Sequence, residues 1–216
     1  MMANRFLQDL KLAFPDFVPA VAVDVGANSG KSTRDIRDAF ALVKILAFEP
    51  ILKSFNLLQE ASSQLEPVVP LKFALSDHKG YGTMLSNGAS NGNSFVLPGS
   101  KPKTQEDVNV VRGDDFLAAQ GVDVVDFIRI NTSGSELSVL AGLAGLLRTG
   151  NIKSIQVTCA FSGASNIHAP FEKVLGFLAP FGYDLFALNS VGRRSVADRR
   201  PVVAGDAAFV HAGLAS

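Results

Sequence analysis

The sequence is poor in cysteine: one residue, Cys159, in 216. No internal disulfide can form, no cysteine-rich metal site is expected, and Cys159 reads as a small apolar residue in a buried strand. Net charge is also missing, since 20 basic residues balance 20 acidic ones. The chain therefore has no overall field to draw in nucleic acid or an anionic membrane, and neither is expected as a partner. No apolar run approaches the roughly 18 residues of a membrane span. A secretory leader is not expected either, because Asp9, Lys11 and Asp16 interrupt any apolar segment at the N-terminus. With no internal repeat and no linker, the expectation is a cytoplasmic protein with one domain over residues 1–216.

The apolar material that is present suits a sheet covered on both faces: 47% of residues are hydrophobic and 19% charged. Residues 4–14 predict an amphipathic helix carrying Phe6, Leu7, Leu10 and Phe14 on one side, within an N-terminal helical cap over 1–19. Strands are predicted at about 20–25, up to Glu49, at 71–75, 107–111, 124–130, 152–159, 183–188 and 206–212. Helical spacing between them brings Ile36, Phe40 and Val43 together, then Ile51, Phe55 and Leu58, then Leu137, Leu140, Leu143 and Leu147. Ser29 and Ser32 are available as helix caps. Ser133 and Glu136 fit a capping box. This alternation predicts an α/β fold, a mostly parallel sheet with an antiparallel last strand. Residues 80–106, rich in Gly, Asn and Ser, with Asn87-Gly88 and Asn91-Gly92 as turn signals, predict a long loop or loose hairpin. Such a segment reads as a lid.

The most informative stretch is Val21-Ala-Val-Asp-Val-Gly-Ala-Asn-Ser-Gly30, an apolar strand running into a glycine turn and a helix start. The next apolar run ends on Glu49-Pro50. Strand, glycine turn, helix, strand and acid form the layout of a nucleotide-type cofactor site, where glycines admit the ligand and the acid accepts hydrogen bonds from ribose hydroxyls. The spacing Gly26-x-x-x-Gly30 departs from the dinucleotide pattern G-x-G-x-x-G. Asp24 would repel a phosphate and suits a ligand bearing positive charge, such as S-adenosylmethionine.

Five ordered blocks resemble the FkbM-type methyltransferases. They are Val23-Asp-Val-Gly-Ala-Asn-Ser-Gly30, Ala47-Phe-Glu-Pro50, Ala74-Leu-Ser-Asp77, Asp114-Asp-Phe116, and Val125-Asp-Phe-Ile-Arg-Ile130 with Gly134-x-Glu136-Leu137-x-Val139-Leu140. The resemblance implies a Rossmann-like class I methyltransferase fold, S-adenosyl-L-methionine as cofactor, and O-methylation of a sugar, glycan or small-molecule hydroxyl. It implies that Asp24, Gly26, Asn28 and Gly30 line the methionine side, with Ala27 and Ser29 between them. Glu49, followed by Pro50, would hold the ribose, and Ser76 and Asp77 would lie by the adenine. No metal is implied, and a homodimer is compatible with the pattern.

Where such proteins usually carry Asp-x-Glu-Gly after the core strand, this chain has Asn131-Thr132-Ser133-Gly134. The next strand, Gln156-Val-Thr-Cys159, also lacks an acid often found there. A hydroxyl acceptor benefits from a general base. The candidates here are Asn131, which can orient but not deprotonate a hydroxyl, Ser133, and His168, at the sheet edge where ligands bind. The alternatives are His168 and His78 as solvated loop residues and Asp126 as structural. Arg193, Arg194, Arg199 and Arg200 read as a solvated loop or a site for an anionic acceptor. Two rival functions remain: a catalytically impaired S-adenosylmethionine-binding relative acting as a partner protein, and a nicotinamide-dependent oxidoreductase, which the glycine spacing disfavours.

Overall fold

A computed structural model describes residues 5–85, 94–95, 104–163, 167–189 and 203–214. The segments Asn87-Gly88 and Asn91-Gly92 and the four arginines of the 193–200 region lie outside the described residues. The elements run α1 (Arg5–Ala13), β1 (Val21–Val25), α2 (Lys31–Ala39), β2 (Lys44–Phe48), α3 (Leu52–Ser62), β3 (Val68–Leu71), β4 (Ala74–Ser76), β5 (Gly80–Leu85), β6 (Ser94–Phe95) and β7 (Gln105–Arg112). They continue with α4 (Gly113–Ala119), β8 (Val125–Ile130), α5 (Glu136–Gly142), α6 (Ala144–Arg148), β9 (Ile152–Ala160), α7 (Phe171–Leu178), β10 (Tyr183–Asn189) and β11 (Ala204–His211).

The main sheet has seven strands in the order β10-β11-β9-β8-β1-β2-β3. Its strands pair in parallel except β11, which returns antiparallel between β9 and β10. Residue by residue, the strands alternate between two apolar layers. Val23, Val25, Leu46, Phe48, Ile128, Ile130, Ile155 and Val157 face α4 to α7, while Ala22, Ile45, Ala47 and Phe127 face α1 to α3. Helix α1 lies over the second layer, where Phe6 meets the rings of Phe127 and Phe186. Asp126 is structural: its carboxylate accepts the N–H groups of Ala20 and Val21 and ties the start of β8 to the start of β1.

Three local expectations need correction. The predicted strand at 71–75 is two strands in two sheets. β3 ends at Leu71 on the edge of the main sheet, where Pro70 is tolerated because its missing N–H costs no ladder bond. Ala74–Ser76 then pairs with β7 instead. Residues at both ends of the expected 80–106 loop are ordered strand, β5 and β7 forming an antiparallel ladder within a four-stranded sheet, β4-β7-β5-β6. That sheet owns a small core of Ile51, Ala74, Met84, Val108 and Val110. Gly80 and Gly82 interrupt the apolar alternation that would have signalled β5. The leucine-faced helix after β8 is broken at Leu143, because the Asp114 carboxylate accepts Gly145 N–H and Leu146 N–H and starts α6 there.

Candidate active site

The site residues gather at the carboxyl edge of the parallel strands, around the β1–β8 boundary, where the order of the sheet reverses. After β1 the chain turns through Gly26 (φ 79°), Asn28 (φ 51°) and Gly30 (φ 84°), all left-handed. Gly26 N–H and Ala27 N–H both donate to Phe48 O, which locks the turn against the end of β2. A β-carbon on Gly26 would stand 2.1 Å from Asn131 O, and one on Gly30 would lie 3.2 Å from side-chain atoms of both Leu58 and Ala61. The space beside each glycine is thus filled by the protein's own backbone or by α3. That revises the simplest reading of the turn, in which the glycines make room for a ligand.

Asp24 also differs from its sequence-based expectation. Its residue is fully buried, and its carboxylate accepts Ser32 Oγ at 2.7 Å, Thr33 Oγ1 at 2.8 Å and Arg129 Nη1 at 3.2 Å. The positive partner of this acid is Arg129 on the neighbouring strand, not a ligand. Ser32 is spent on Asp24, and α2 has no side-chain cap, so neither Ser29 nor Ser32 acts as one. Ser29 is exposed, while Ala27 and Pro50 are buried.

Glu49 caps the other side of the turn. Its Oε2 accepts Asn28 N–H at 2.9 Å and its Oε1 accepts Ile51 N–H at 3.0 Å. Burial pushes its carboxyl up to about 7, and the nearby charges of Asp24 and Glu106 add to the rise against those two backbone bonds. Glu106, from the inserted sheet, accepts Leu52 N–H at the start of α3, so that sheet borders Glu49. In the free protein the folded state holds the Glu49 proton more tightly than the unfolded chain. This contribution to stability is complete below pH 4.5, the ordinary carboxyl value, and fades as pH rises to about 7. It amounts to about 3 kcal/mol at 1.36 kcal/mol per unit. Glu49→Gln should flatten that part of the profile, as urea unfolding between pH 4.5 and 8 would reveal; an unchanged slope would contradict it.

The loop after β8 is organised by Glu136, a residue read from sequence as a helix cap. The expected capping box does not form: the residue preceding α5 is Ser135, with no side-chain cap bond. Instead Glu136 is fully buried and collects N–H donors from Thr132, Gly134 and Ala169, together with His168 Nδ1 at 3.0 Å. Burial alone would push this carboxyl up, but the His168 bond and the backbone donors outweigh it and hold Glu136 below the usual range. Ser133 takes a left-handed φ of 53° to close the loop. The Asn131 and Ser133 side chains make no hydrogen bond to described residues, and both are half-buried. Thr132 Oγ1 is buried without a partner among the described residues, and its Cγ2 packs beside Gly26. Contrary to the solvated-loop alternative, His168 is mostly covered, its side chain 15% exposed.

Ser76 and Asp77 follow β4. Ser76 is buried, and its carbonyl packs so closely on α5 that a β-carbon on Gly142 would come within 1.9 Å of it. Asp77 is half-exposed, accepts Ser76 Oγ, and is held below its ordinary range chiefly by the hydrogen bond with His78. The structure therefore joins Gly26–Gly30, Glu49 and Asn131 in one unit and Asn131, Ser133 and His168 in another. Ser76 and Asp77 pack on α5 at Gly142. Glu136 and Arg129 were missed as organising residues, because their partners lie 32 and 105 positions away. Cys159 is fully buried, with its thiol pushed up to about 12 by burial. Among the described residues no group of three or more His, Cys, Asp or Glu could hold a metal ion, and no helix is long and apolar enough to cross a membrane.

A seven-stranded sheet in this order, with one antiparallel strand inserted beside the edge, defines the class I methyltransferase fold. Solved structures of that class are similar throughout. The precorrin-6y C5,15-methyltransferase of Geobacter metallireducens GS-15 superposes with a TM-score of 0.52 at 10% identity, over 97% of this chain and 90% of that one. SMU.1697c of Streptococcus mutans, solved in complex with SAH, gives 0.51 at 9% identity over 97% and 99%. Aeropyrum pernix fibrillarin, with natively bound S-adenosyl-L-methionine, gives 0.52 at 11% identity over 89% and 66%. No curated protein matches the sequence. The methyltransferase FkbM domain matches residues 24–185, and the chain belongs to that family.

Proposed function

We propose that this protein is an S-adenosylmethionine-dependent methyltransferase directed at a hydroxyl of a sugar, glycan or small molecule. Glu49 carries the reading. A buried carboxylate with two backbone donors, under pressure from its burial and from Asp24 and Glu106, is short of hydrogen-bond donors. A ribose cis-diol at the carboxyl edge of β2 would supply them, so the residues present fit the adenosyl group. Asn28, Ala27 and Ser29 would follow the methionine end, with Pro50 backing Glu49 and Ser76 and Asp77 by the adenine. Asp24 and Gly26 would act by holding the turn. The bound cofactor supplies an electrophilic methyl on a sulfonium, so alignment of the acceptor accounts for much of the rate. Asn131 would orient the acceptor hydroxyl and His168 would take its proton. Ser133 would shape the loop between them.

Calorimetric titration tests the cofactor. S-adenosylmethionine and S-adenosylhomocysteine should bind and NAD should not; binding of NAD alone would overturn the reading. Because ribose hydroxyls donate to the ionised carboxylate, affinity for S-adenosylhomocysteine should rise as pH climbs through about 7. The Glu49→Gln variant should bind more weakly and lose that dependence.

The second reading, a binding protein without turnover, is favoured by the uncharged Asn131 and Ser133 at positions where the family pattern carries acids. The double change Asn131→Asp, Ser133→Glu should alter turnover or acceptor binding while cofactor affinity stays within a few-fold. Silence in every assay would remove both positions from the acceptor site.

A further inference from the structure

Glu136 and His168 form a pair that the sequence pattern does not announce, because the histidine arrives from the loop after β9 and the acid from the helix after β8. Their geometry restricts the imidazole. Nδ1 lies 3.0 Å from Glu136 Oε1, and a carboxylate held ionised can only accept there, so Nδ1 carries the proton. Nε2 has no hydrogen-bond partner among the described residues, and the side chain is 15% exposed, so no described group claims its lone pair. Neutral histidine free in water prefers the opposite tautomer. The acid is itself rigid: Thr132, Gly134 and Ala169 N–H groups fix both of its oxygens, and Gly134 packs on the carbonyl of Ile167, next to His168.

We infer that Glu136 is a positioning residue, holding His168 as the Nδ1–H tautomer so that Nε2 faces outward as the proton acceptor for the methyl acceptor's hydroxyl. This rests on the methyltransferase reading above. Bound S-adenosylmethionine would supply the methyl, its carbon–sulfur bond pair returning to sulfur as the acceptor oxygen bonds the methyl carbon. The hydroxyl proton passes to Nε2. The resulting imidazolium lies against the Glu136 carboxylate until solvent removes the proton. An acid orienting a histidine in this way stabilises the charge that develops on the ring. It would compensate for the acids absent at 131 and 133 by moving the base to the neighbouring strand end.

The test uses side-chain ¹⁵N–¹H correlation spectra of the full chain at pH 8, with the signal assigned by its disappearance in His168→Gln. Wild type should show His168 as Nδ1–H. Glu136→Gln should shift it toward Nε2–H, and Glu136→Asp should restore it in part. An Nε2–H ring in wild type overturns the proposal, as does a Glu136→Gln spectrum unchanged from wild type; the wild-type spectrum alone decides if the variants fail to fold. S-adenosylhomocysteine is then titrated in. The His168 ring signals should move while those of His211, on the far end of β11, stay. If calorimetry shows binding but His168 does not respond, the base role falls. If S-adenosylhomocysteine fails to bind at all, the cofactor reading falls and the tautomer result stands by itself.

Discussion

Gly26→Ala should be among the most damaging single substitutions in this chain, lowering stability by about 2–5 kcal/mol. Two costs combine. The residue sits at φ 79°, where a side chain costs about 1–2 kcal/mol. The added carbon would also come within 2.1 Å of the Asn131 carbonyl oxygen, which is backbone and cannot swing aside. Overpacking typically adds about 1–3 kcal/mol. Because Asn131 N–H is itself bonded to Val25 O, relief would require the β1 and β8 loops to part. Gly30→Ala is the control. It shares the left-handed φ but would meet only Leu58 Cδ1, which can rotate, and the Ala61 methyl, both at 3.2 Å, so α3 need give by only a few tenths of an ångström and the loss should lie nearer the conformational part of about 1–2 kcal/mol. Urea unfolding of both variants measures the difference. Equal losses would mean that Asn131 does not limit the turn.

Asp24→Asn should cost about 3–5 kcal/mol, the penalty of leaving a buried charge without its partner. Arg129, its side chain only 16% exposed, would keep its charge and lose its counter-ion. Asn also presents an amide donor where Ser32, Thr33 or Arg129 donates. Removing the cation as well, in Asp24→Asn with Arg129→Met, should recover part of the loss, giving a coupling of at least about 1 kcal/mol in a double-mutant cycle. A ligand-facing Asp24 would behave in the opposite way: stability would hold and affinity for S-adenosylmethionine would fall. The measurement therefore distinguishes the two assignments directly.

The two acids that organise this site show what linear pattern can and cannot reveal. Asp24 is easily noticed, an acid in an otherwise apolar strand just before a glycine turn. Its spacing from Gly26 says nothing about Arg129, 105 residues away, which satisfies it. Glu136 sits at a spacing that suits a local cap, and local pairing is the reading that sequence proximity favours. The structure directs it to Gly134, Ala169 and His168 instead, because β8 and β9 are neighbours and their loops meet above the sheet. Glu49 was legible, since an acid ending the second strand of such a sheet lies at its ligand edge by topology alone. Its shortage of donors was not, since that depends on burial and on Glu106 from the inserted sheet.

The sequence by itself determined the alternation of strands and helices, the antiparallel last strand, the glycine turn and the family. Each of these rests on periodicity, on turn chemistry or on ordered local blocks. Tertiary structure alone decided that the prolines and glycines of 67–82 split the chain between two sheets, and that Asp24 is neutralised inside the protein. It alone also decided that Glu136 is held by His168, 32 residues away. Those outcomes are set by which strands lie side by side, and contact between residues remote in the chain is what one-dimensional spacing does not encode.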